Sequence, residues 1–297
     1  MRIVVTGGTG FLGGALVGRL RDDGHTVTVL TRGRTGAGTV HWNPETSAGE
    51  WTSTLDGADA VIHLAGASIA GGRWTAERKA LIRNSRVRST RPLVNAILAA
   101  RRPPAVLISG SAMGIYGPHG DEPLVEDSPP GSGFLASVCV DWEREALNAA
   151  LVSRVVVVRT GLALDRSGGA LPQIALPFNF FAGGPIGSGR QYMSWIHRDD
   201  WVEMVRWALS NAAVSGPLNA TAPDPVTNRE FAKALGRVLR RPSFLPTPAF
   251  ALRLALGEMA DELLLTGQRV LPAKAQSLGF TFRYPTLEPA LRAVYGL

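Results

Sequence analysis

The side chains able to move a proton or attack as nucleophiles are few and scattered. Ser111 and Tyr116 share the run SGSAMGIYG, the single cysteine Cys139 lies in GFLASVCVDWEREA, and His197 lies in SWIHRDD. Histidine changes charge near neutrality, so His197 is the best-placed titratable group. Tyr116 offers a phenol in a turn near the carboxyl edge of a strand; packing of that turn is its other reading. Cys139 would need neighbouring positive charge to become a thiolate, and a small buried helix residue is the commoner fate of a free cysteine. Ser111 has no evident local base. No His/Asp/Glu cluster has metal spacing and no GxSxG elbow occurs, so metalloenzyme and hydrolase chemistry fall away.

The elements that must position these residues begin at the amino terminus. RIVVTGGTGFLGGALVGRLRDDGHTVTVLTRG reads as strand, glycine turn, helix and second strand, a βαβ unit of about thirty residues as a dinucleotide site requires. Gly7 permits the turn, Gly10 lets backbone approach a pyrophosphate, and Gly13 lets the helix pack on the strand. Phe11 and Leu12 open a helix whose free N–H groups and positive dipole end suit phosphate. The end of the second strand should select the cofactor: an acid there would bind the ribose 2′-hydroxyl of NAD, and arginine suits the 2′-phosphate of NADP. Thr31, Arg32, Gly33 and Arg34 contain no acid. NADP is therefore expected, with NAD the lesser alternative.

Further apolar runs at 58–67, 105–117 and 154–164 read as buried strands, with helical stretches around 75–101 and 135–150 between them. Alternating strands and helices predict an α/β fold, a Rossmann-type doubly wound parallel sheet with ligands at the carboxyl ends of its strands. Leu64, Ala65 and Gly66 then fall at the cofactor, with His63 a strand residue beside it. From 162 the chain loosens into GGALPQIALPFNFFAGGPIGSGRQ, expected to be a loop-rich region over the site. Residues 216–223 resemble another strand, and Thr227 with Glu230 has capping-box spacing for a following helix. These readings give an NADP-binding domain over 1–161, to which 196–222 returns. Residues 162–195 and 223–297 form a smaller, interleaved carboxyl-terminal substrate lobe. Within 135–149, Leu135, Val138, Trp142, Ala146 and Ala149 make one apolar helical stripe with Cys139 beside it.

The chain has 297 residues, is 45% hydrophobic and 19% charged, and carries a net charge of +7. That balance fits a soluble globule with a substantial core. Arginine is densest in RNSRVRSTR, which holds Arg83, Arg86, Arg88 and Arg91. The run reads either as a nucleic-acid footprint or as a solvated basic helix face, and the second is expected. A lone cysteine excludes internal disulfides and agrees with a reducing cytoplasm. The amino terminus is too polar for a signal peptide, and no stretch has the roughly 18 uninterrupted apolar residues of a membrane span. The expected partner is a small-molecule substrate, without nucleic acid or membrane.

These residues resemble the extended short-chain dehydrogenase/reductase superfamily of the nucleotide-sugar epimerase and dehydratase type. TGGTGFLG looks like its cofactor loop, IHLAG its fourth-strand motif and SAMGIYG its serine motif. GGRWTAERKALIRNSRV, RTGLALDRSGGALPQ, GSGRQYMSWIHRDD and GQRVLPAKAQSLGFTFRYPTLEPAL resemble one branch of it more specifically. That branch is the epimerase-family group with a carboxyl-terminal domain of unknown function, sometimes labelled cell-division-inhibitor-like. The resemblance implies a Ser, a Tyr and a Lys four residues after the Tyr. The tyrosine would be the acid/base; the lysine would bind the nicotinamide ribose and lower the tyrosine pKa.

Ser111 matches that serine if one residue is inserted before Tyr116-Gly117. Aligning Glu143 with the family's glutamate puts Leu135 at the tyrosine and Cys139 at the lysine; one register earlier gives Phe134 and Val138. Neither register restores the pair. Tyr116 and His197 stand as substitutes, Arg159 is placed with the cofactor contacts, and Arg190, Gln191 and Trp195 with the substrate pocket. Arginine there would pair with phosphate or carboxylate, and tryptophan would stack on a base or sugar. A homodimer through the helices at 83–101 and 135–150 is also what the resemblance implies.

Two functions fit. One is an NADP-dependent oxidoreductase or epimerase acting on a small molecule such as a nucleotide sugar. The other is a nucleotide-sensing or interaction protein with little catalysis, acting in division or redox regulation.

Overall fold

The computed structural model describes residues 1–33 and 35–297. Its strands are rich in valine, isoleucine and leucine because a parallel sheet covered by helices on both faces buries nearly every position. Seven of them form one parallel sheet: β1 (Arg2–Thr6), β2 (Thr26–Thr31), β3 (Thr39–His41), β4 (Ala60–His63), β5 (Val106–Ala112), β6 (Arg154–Thr160) and β7 (Gly216–Ala220). Their order is β3-β2-β1-β4-β5-β6-β7, the expected doubly wound arrangement. Successive crossovers change direction between β1 and β4, which opens a crevice at the carboxyl ends of those two strands.

The longer helices are α1 (Phe11–Asp22), α2 (Ala76–Ala99), α3 (Phe134–Leu147), α4 (Leu171–Asn179), α5 (Arg198–Ser210), α6 (Asn228–Leu239), α7 (Ala249–Leu256) and α8 (Leu287–Tyr295). Side chains alternate across a strand, so each strand feeds two cores. On one face Ile3, Val5, Ile62, Ile108, Val156 and Val158 meet Leu16 and Leu20 of α1 and Trp201 and Val205 of α5. On the other, Val4, Val61, Leu107, Val155 and Val157 meet Leu93, Val94 and Ile97 of α2. Each such side chain contributes about 1.5–3 kcal/mol when fully buried. That second face turns polar toward the carboxyl edge: His63 lies beside Ser109, and Ser111 beside Arg159, which in turn lies beside Asn219. The sheet register alone thus lines up the polar groups that the sequence scatters.

A third cluster holds the carboxyl-terminal lobe, with Leu171 and Phe178 of α4, Phe231 and Leu235 of α6, and Leu287 and Leu291 of α8. The stretch expected to be loop-rich therefore contains a helix. Pro172 sits in the first turn, where the N–H needs no intrahelical partner, Pro177 lies inside the helix near its carboxyl end, and Leu171, Ala175 and Phe178 bury one face. At α6 the capping box forms: Thr227 Oγ1 accepts from the Glu230 N–H at 3.3 Å, and Glu230 Oε2 accepts from the Thr227 N–H at 2.8 Å. The lobe is tied to the segment after β5 by the pairing of 269–270 with 123–124 in a separate two-stranded sheet. Asp200 adds two bonds, accepting from the backbone N–H groups of Arg283 (2.8 Å) and Tyr284 (2.9 Å). Among the described residues, no helix is long and apolar enough to cross a membrane.

Candidate active site and cofactor cleft

β1 ends at Thr6, and Gly7 turns the chain with φ +71°. A Cβ at Gly7 would lie 2.7 Å from the Leu64 carbonyl, and one at Gly13 would lie 2.9 Å from the Gly7 carbonyl carbon and closer still to its oxygen. The turn, α1 and the Leu64-Ala65 segment therefore meet backbone to backbone, with no room for side chains. Gly10 caps α1 without a side chain, so the N–H groups of Phe11 and Leu12 remain free for a ligand at the positive end of the helix. The Phe11 ring itself turns away, against Gly168 and Gly169 and 6.0 Å from the Arg198 guanidinium carbon. This cradle fits the pyrophosphate of a dinucleotide.

At the end of β2, Thr31 Oγ1 accepts from the Gly33 N–H at 3.1 Å, and Arg32 is exposed. No carboxylate lies within ion-pair distance of Arg32 among the described residues, and Arg34 lies outside them. His63, fully buried, stands between Thr6 (2.6 Å) and Thr90 (2.9 Å), and burial pushes its pKa down to about 4. It is a neutral clamp joining β1, β4 and α2.

Ser111, at the end of β5, donates from Oγ to Glu143 Oε1 of α3 at 2.6 Å. The local base that the sequence did not reveal is thus a carboxylate 32 positions away. Glu143 is in turn held bidentately by Arg159, both bonds 2.9 Å. Arg159 also donates to Tyr116 Oη (2.9 Å) and the Glu126 carbonyl (2.8 Å). Burial opposes the Arg159 charge, but the bonds to Glu143 override it and raise the pKa. Two expected site residues lie in this network. Arg159, expected among the cofactor contacts, has its guanidinium engaged in a buried ion pair with Glu143. Tyr116 is fully buried, with its hydroxyl also 2.8 Å from Asn219 Oδ1 and 3.0 Å from the Val125 carbonyl. Burial raises its pKa, and with its hydroxyl held by these partners it packs the turn after β5.

α3 presents Leu135, Cys139, Trp142 and Glu143 toward the sheet, all buried. A Cβ at Gly114 would lie 3.5 Å from that of Leu135, and one at Gly110 would lie 3.0 Å from the Trp142 ring. The register with Leu135 and Cys139 at the tyrosine and lysine places is therefore the one that faces Ser111. Burial first, then Glu143, pushes the Cys139 thiol up to about 11, against the opposing influence of Arg86, Ala112 and Ser111. A thiol so placed carries no proton traffic at neutral pH. The amino terminus of α3 is capped from the distant carboxyl-terminal lobe: Glu262 accepts from the N–H groups of Phe134 (3.1 Å) and Leu135 (3.3 Å). Nothing in the local sequence signals that contact.

Three other candidates sit in packed surroundings. His197 is buried, caps α5 by accepting the Asp199 N–H at Nδ1 (3.1 Å), and stacks 4.1 Å from the Tyr284 ring. Burial lowers its pKa although Asp199, Asp200 and Asp165 favour the charged form, so it serves as a structural joint. Trp195 is fully buried and donates from Nε1 to the Asp224 carbonyl at 2.9 Å, which leaves no ring face for a ligand. Gln191 spends its amide N–H groups on the carbonyls of Ile186 (3.0 Å) and Leu264 (2.8 Å), pinning the loop. Arg190 is exposed in that loop.

The arginine run is a solvated face only in part, with Arg88 and Arg91 exposed. Arg83 pairs with Asp141, and Arg91 with Glu145 at 2.5 Å, so both knit α2 to α3. No group of three or more His, Cys, Asp or Glu residues suited to a metal occurs among the described residues.

Residues 3–220 match the model of the NAD dependent epimerase/dehydratase family, and residues 247–294 match a domain of unknown function (DUF1731). A chloroplastic epimerase family protein of Arabidopsis thaliana is 44% identical over 99% of this chain and 86% of its own length. The human epimerase family protein SDR39U1, crystallised with NADPH, is 36% identical and superposes with a TM-score of 0.93 over 100% of this chain and 99% of that one. A nucleoside-diphosphate sugar epimerase from Corynebacterium glutamicum is also 36% identical, with a TM-score of 0.81 over 99% of this chain and 58% of that longer one. With the family model matched over residues 3–220 and the Arabidopsis relative 44% identical along nearly the whole chain, the chain belongs to the NAD-dependent epimerase/dehydratase family.

Proposed function

We propose that this protein binds NADPH and acts as an oxidoreductase or epimerase on a small carbinol or carbonyl compound, a nucleotide sugar being one candidate. The observation that carries the reading is the uncapped α1 amino terminus over the Gly7–Gly13 cradle, combined with an exposed arginine and no acid after β2. The NADPH of the human relative supports the cofactor. Gly7, Gly10 and Gly13, with the N–H groups of Phe11 and Leu12, would hold the pyrophosphate. Thr31 and Arg32 would hold the 2′-phosphate, and Leu64, Ala65 and Gly66 would form the floor. The nicotinamide supplies hydride exchange with a carbinol or carbonyl carbon. Ser111 has its proton directed to Glu143, so toward a substrate it offers a lone pair suited to accept from a hydroxyl.

Titration with NADPH and NADH tests this, together with absorbance assays over sugar nucleotides, aldehydes and ketones. Arg32→Asp should weaken NADPH far more than NADH. Equal losses would count against the 2′-phosphate contact, and absence of turnover over the whole panel against the enzymatic reading. A second reading, a nucleotide-sensing protein with little catalysis, is favoured by Leu135 and a fully protonated Cys139 in the places of Tyr and Lys. NADPH-dependent association with a purified partner, without turnover, would support it.

A further inference from the structure

Arg86 is the one member of the α2 arginine run that is neither exposed nor neutralised. Arg83 and Arg91 reach Asp141 and Glu145 on α3, and Arg88 is exposed. The Arg86 guanidinium is part-buried, and its two recorded bonds go to carbonyls: Nη1 to Ile82 at 3.0 Å and Nη2 to Ala67 at 3.1 Å. Among the described residues no carboxylate lies within ion-pair distance of it. Burial lowers its pKa, in keeping with a desolvated cation. A guanidinium kept beneath the surface without a counter-charge is costly and calls for a ligand that repays it.

Its place narrows the ligand. A Cβ at Gly66 would lie 3.2 Å from the Arg86 guanidinium carbon and 3.3 Å from Nη2, so the group rests closely on the glycine of the loop after β4. Its other side faces the Trp142 ring, 5.4 Å from the guanidinium carbon. Arg86 also bears electrostatically on Cys139, which faces Ser111 and Ala112. The same short loop, 64–67, touches the phosphate cradle at one end, through Leu64 against Gly7, and Arg86 at the other. A dinucleotide with its pyrophosphate in the cradle would have this loop beside it on the way to the ribose of its nicotinamide half. Two of the five guanidinium N–H groups go to carbonyls, and the planar fork suits two neighbouring oxygens of one ligand.

We infer that Arg86, projecting from α2, binds the vicinal diol of the nicotinamide ribose and supplies the positive charge at the reacting end that α3 lacks. This rests on the NADPH reading above. Cys139, at the lysine place, is a neutral neighbour that leaves room for the guanidinium, and Trp142 lies against its outer side.

Titration of wild type, Arg86→Met and Arg86→Lys with NADPH and with adenosine 2′,5′-bisphosphate, which lacks the nicotinamide ribose, tests the assignment. Arg86→Met should weaken NADPH about 10- to 100-fold, as for loss of charge-assisted bonds, and leave the bisphosphate within about twofold. Arg86→Lys should recover part of the loss, since it keeps the charge and forfeits the fork. If the methionine variant fails to fold, the lysine variant must still show a selective loss for NADPH. Equal weakening of both ligands would overturn the proposal, because the arginine would then only shape the loop. Unchanged NADPH binding would overturn it as well, while leaving the cofactor reading intact. A wild-type protein that binds neither ligand would bring down both.

Discussion

Replacing Glu143 by glutamine should be the most damaging isosteric change near the site. The carboxylate is buried and accepts three bonds, from Ser111 at 2.6 Å and from Arg159 Nε and Nη2 at 2.9 Å each. Glutamine keeps one acceptor oxygen and turns an NH₂ group toward groups that are themselves donors. Arg159 would be left buried without its counter-charge. Breaking a buried pair from one side costs about 3–5 kcal/mol. At about 2–4 °C per kcal/mol for a chain of this size, the melting temperature should fall roughly 6–20 °C. Glu143→Leu combined with Arg159→Met removes both charges and should cost at least ~2 kcal/mol less than the sum of the two single changes. The assay is urea unfolding followed by far-UV circular dichroism and tryptophan fluorescence. Coincident transitions are required before free energies are compared, because two lobes need not unfold together. A Glu143→Gln cost below ~1 kcal/mol, or additivity within ~0.5 kcal/mol, would refute the argument and return Arg159 to the list of groups free for a ligand.

Further expectations concern buried groups and close contacts. His63 has a folded pKa of about 4 against about 6.5 when unfolded, so its contribution is whole above pH ~6.5 and fades as pH falls toward 4, by ~1.4 kcal/mol per unit. Stability measured across that window should show this slope in wild type and lose it in His63→Gln; an unchanged slope would mean that another group titrates. Gly13→Ala should destabilise by about 1–3 kcal/mol or more and weaken NADPH, because its Cβ meets the Gly7 backbone. Gly14→Ala is the control: its Cβ finds nothing nearer than 3.8 Å, and it should be neutral or stabilising by ~0.5–1 kcal/mol. Equal effects at the two glycines would contradict the close-approach account. Cys139, with its thiol near 11, should be alkylated in the native protein only as fast as the protein opens, and Cys139→Ala should leave NADPH affinity unchanged. Rapid native alkylation would show a thiolate that burial forbids.

What could be read without the fold was local. The glycine trio between strand and helix, the Thr227/Glu230 capping box and the apolar stripe of α3 all depend on residues within one turn or one loop, and each forms. Two helices escaped. α4 contains Pro172 and Pro177 and is flanked by glycines, which argues for a loop, while its buried face packs in the same cluster as α6. α5 opens on His197 in place of the usual Ser, Thr, Asp or Asn cap, which leaves only Asp199 and Asp200 in its first turn to mark the start.

The site chemistry escaped for a different reason. Periodicity can say that Ser111, Arg159 and Asn219 share a sheet face, but their register comes from strand pairing, and Glu143 reaches them from a helix. Tyr116 and Asn219 meet across 103 positions. The arginine run shows the same limit from the opposite side. Summed along the chain, it reads as a basic face. Yet Asp141 and Glu145 lie 58 and 54 positions from Arg83 and Arg91, and they cancel those two charges once α2 and α3 pack. The cancellation is what sets Arg86 apart, because a buried charge is defined by the partner it lacks. A count of neighbours in sequence cannot report that lack, whereas the packing of two helices on one sheet can.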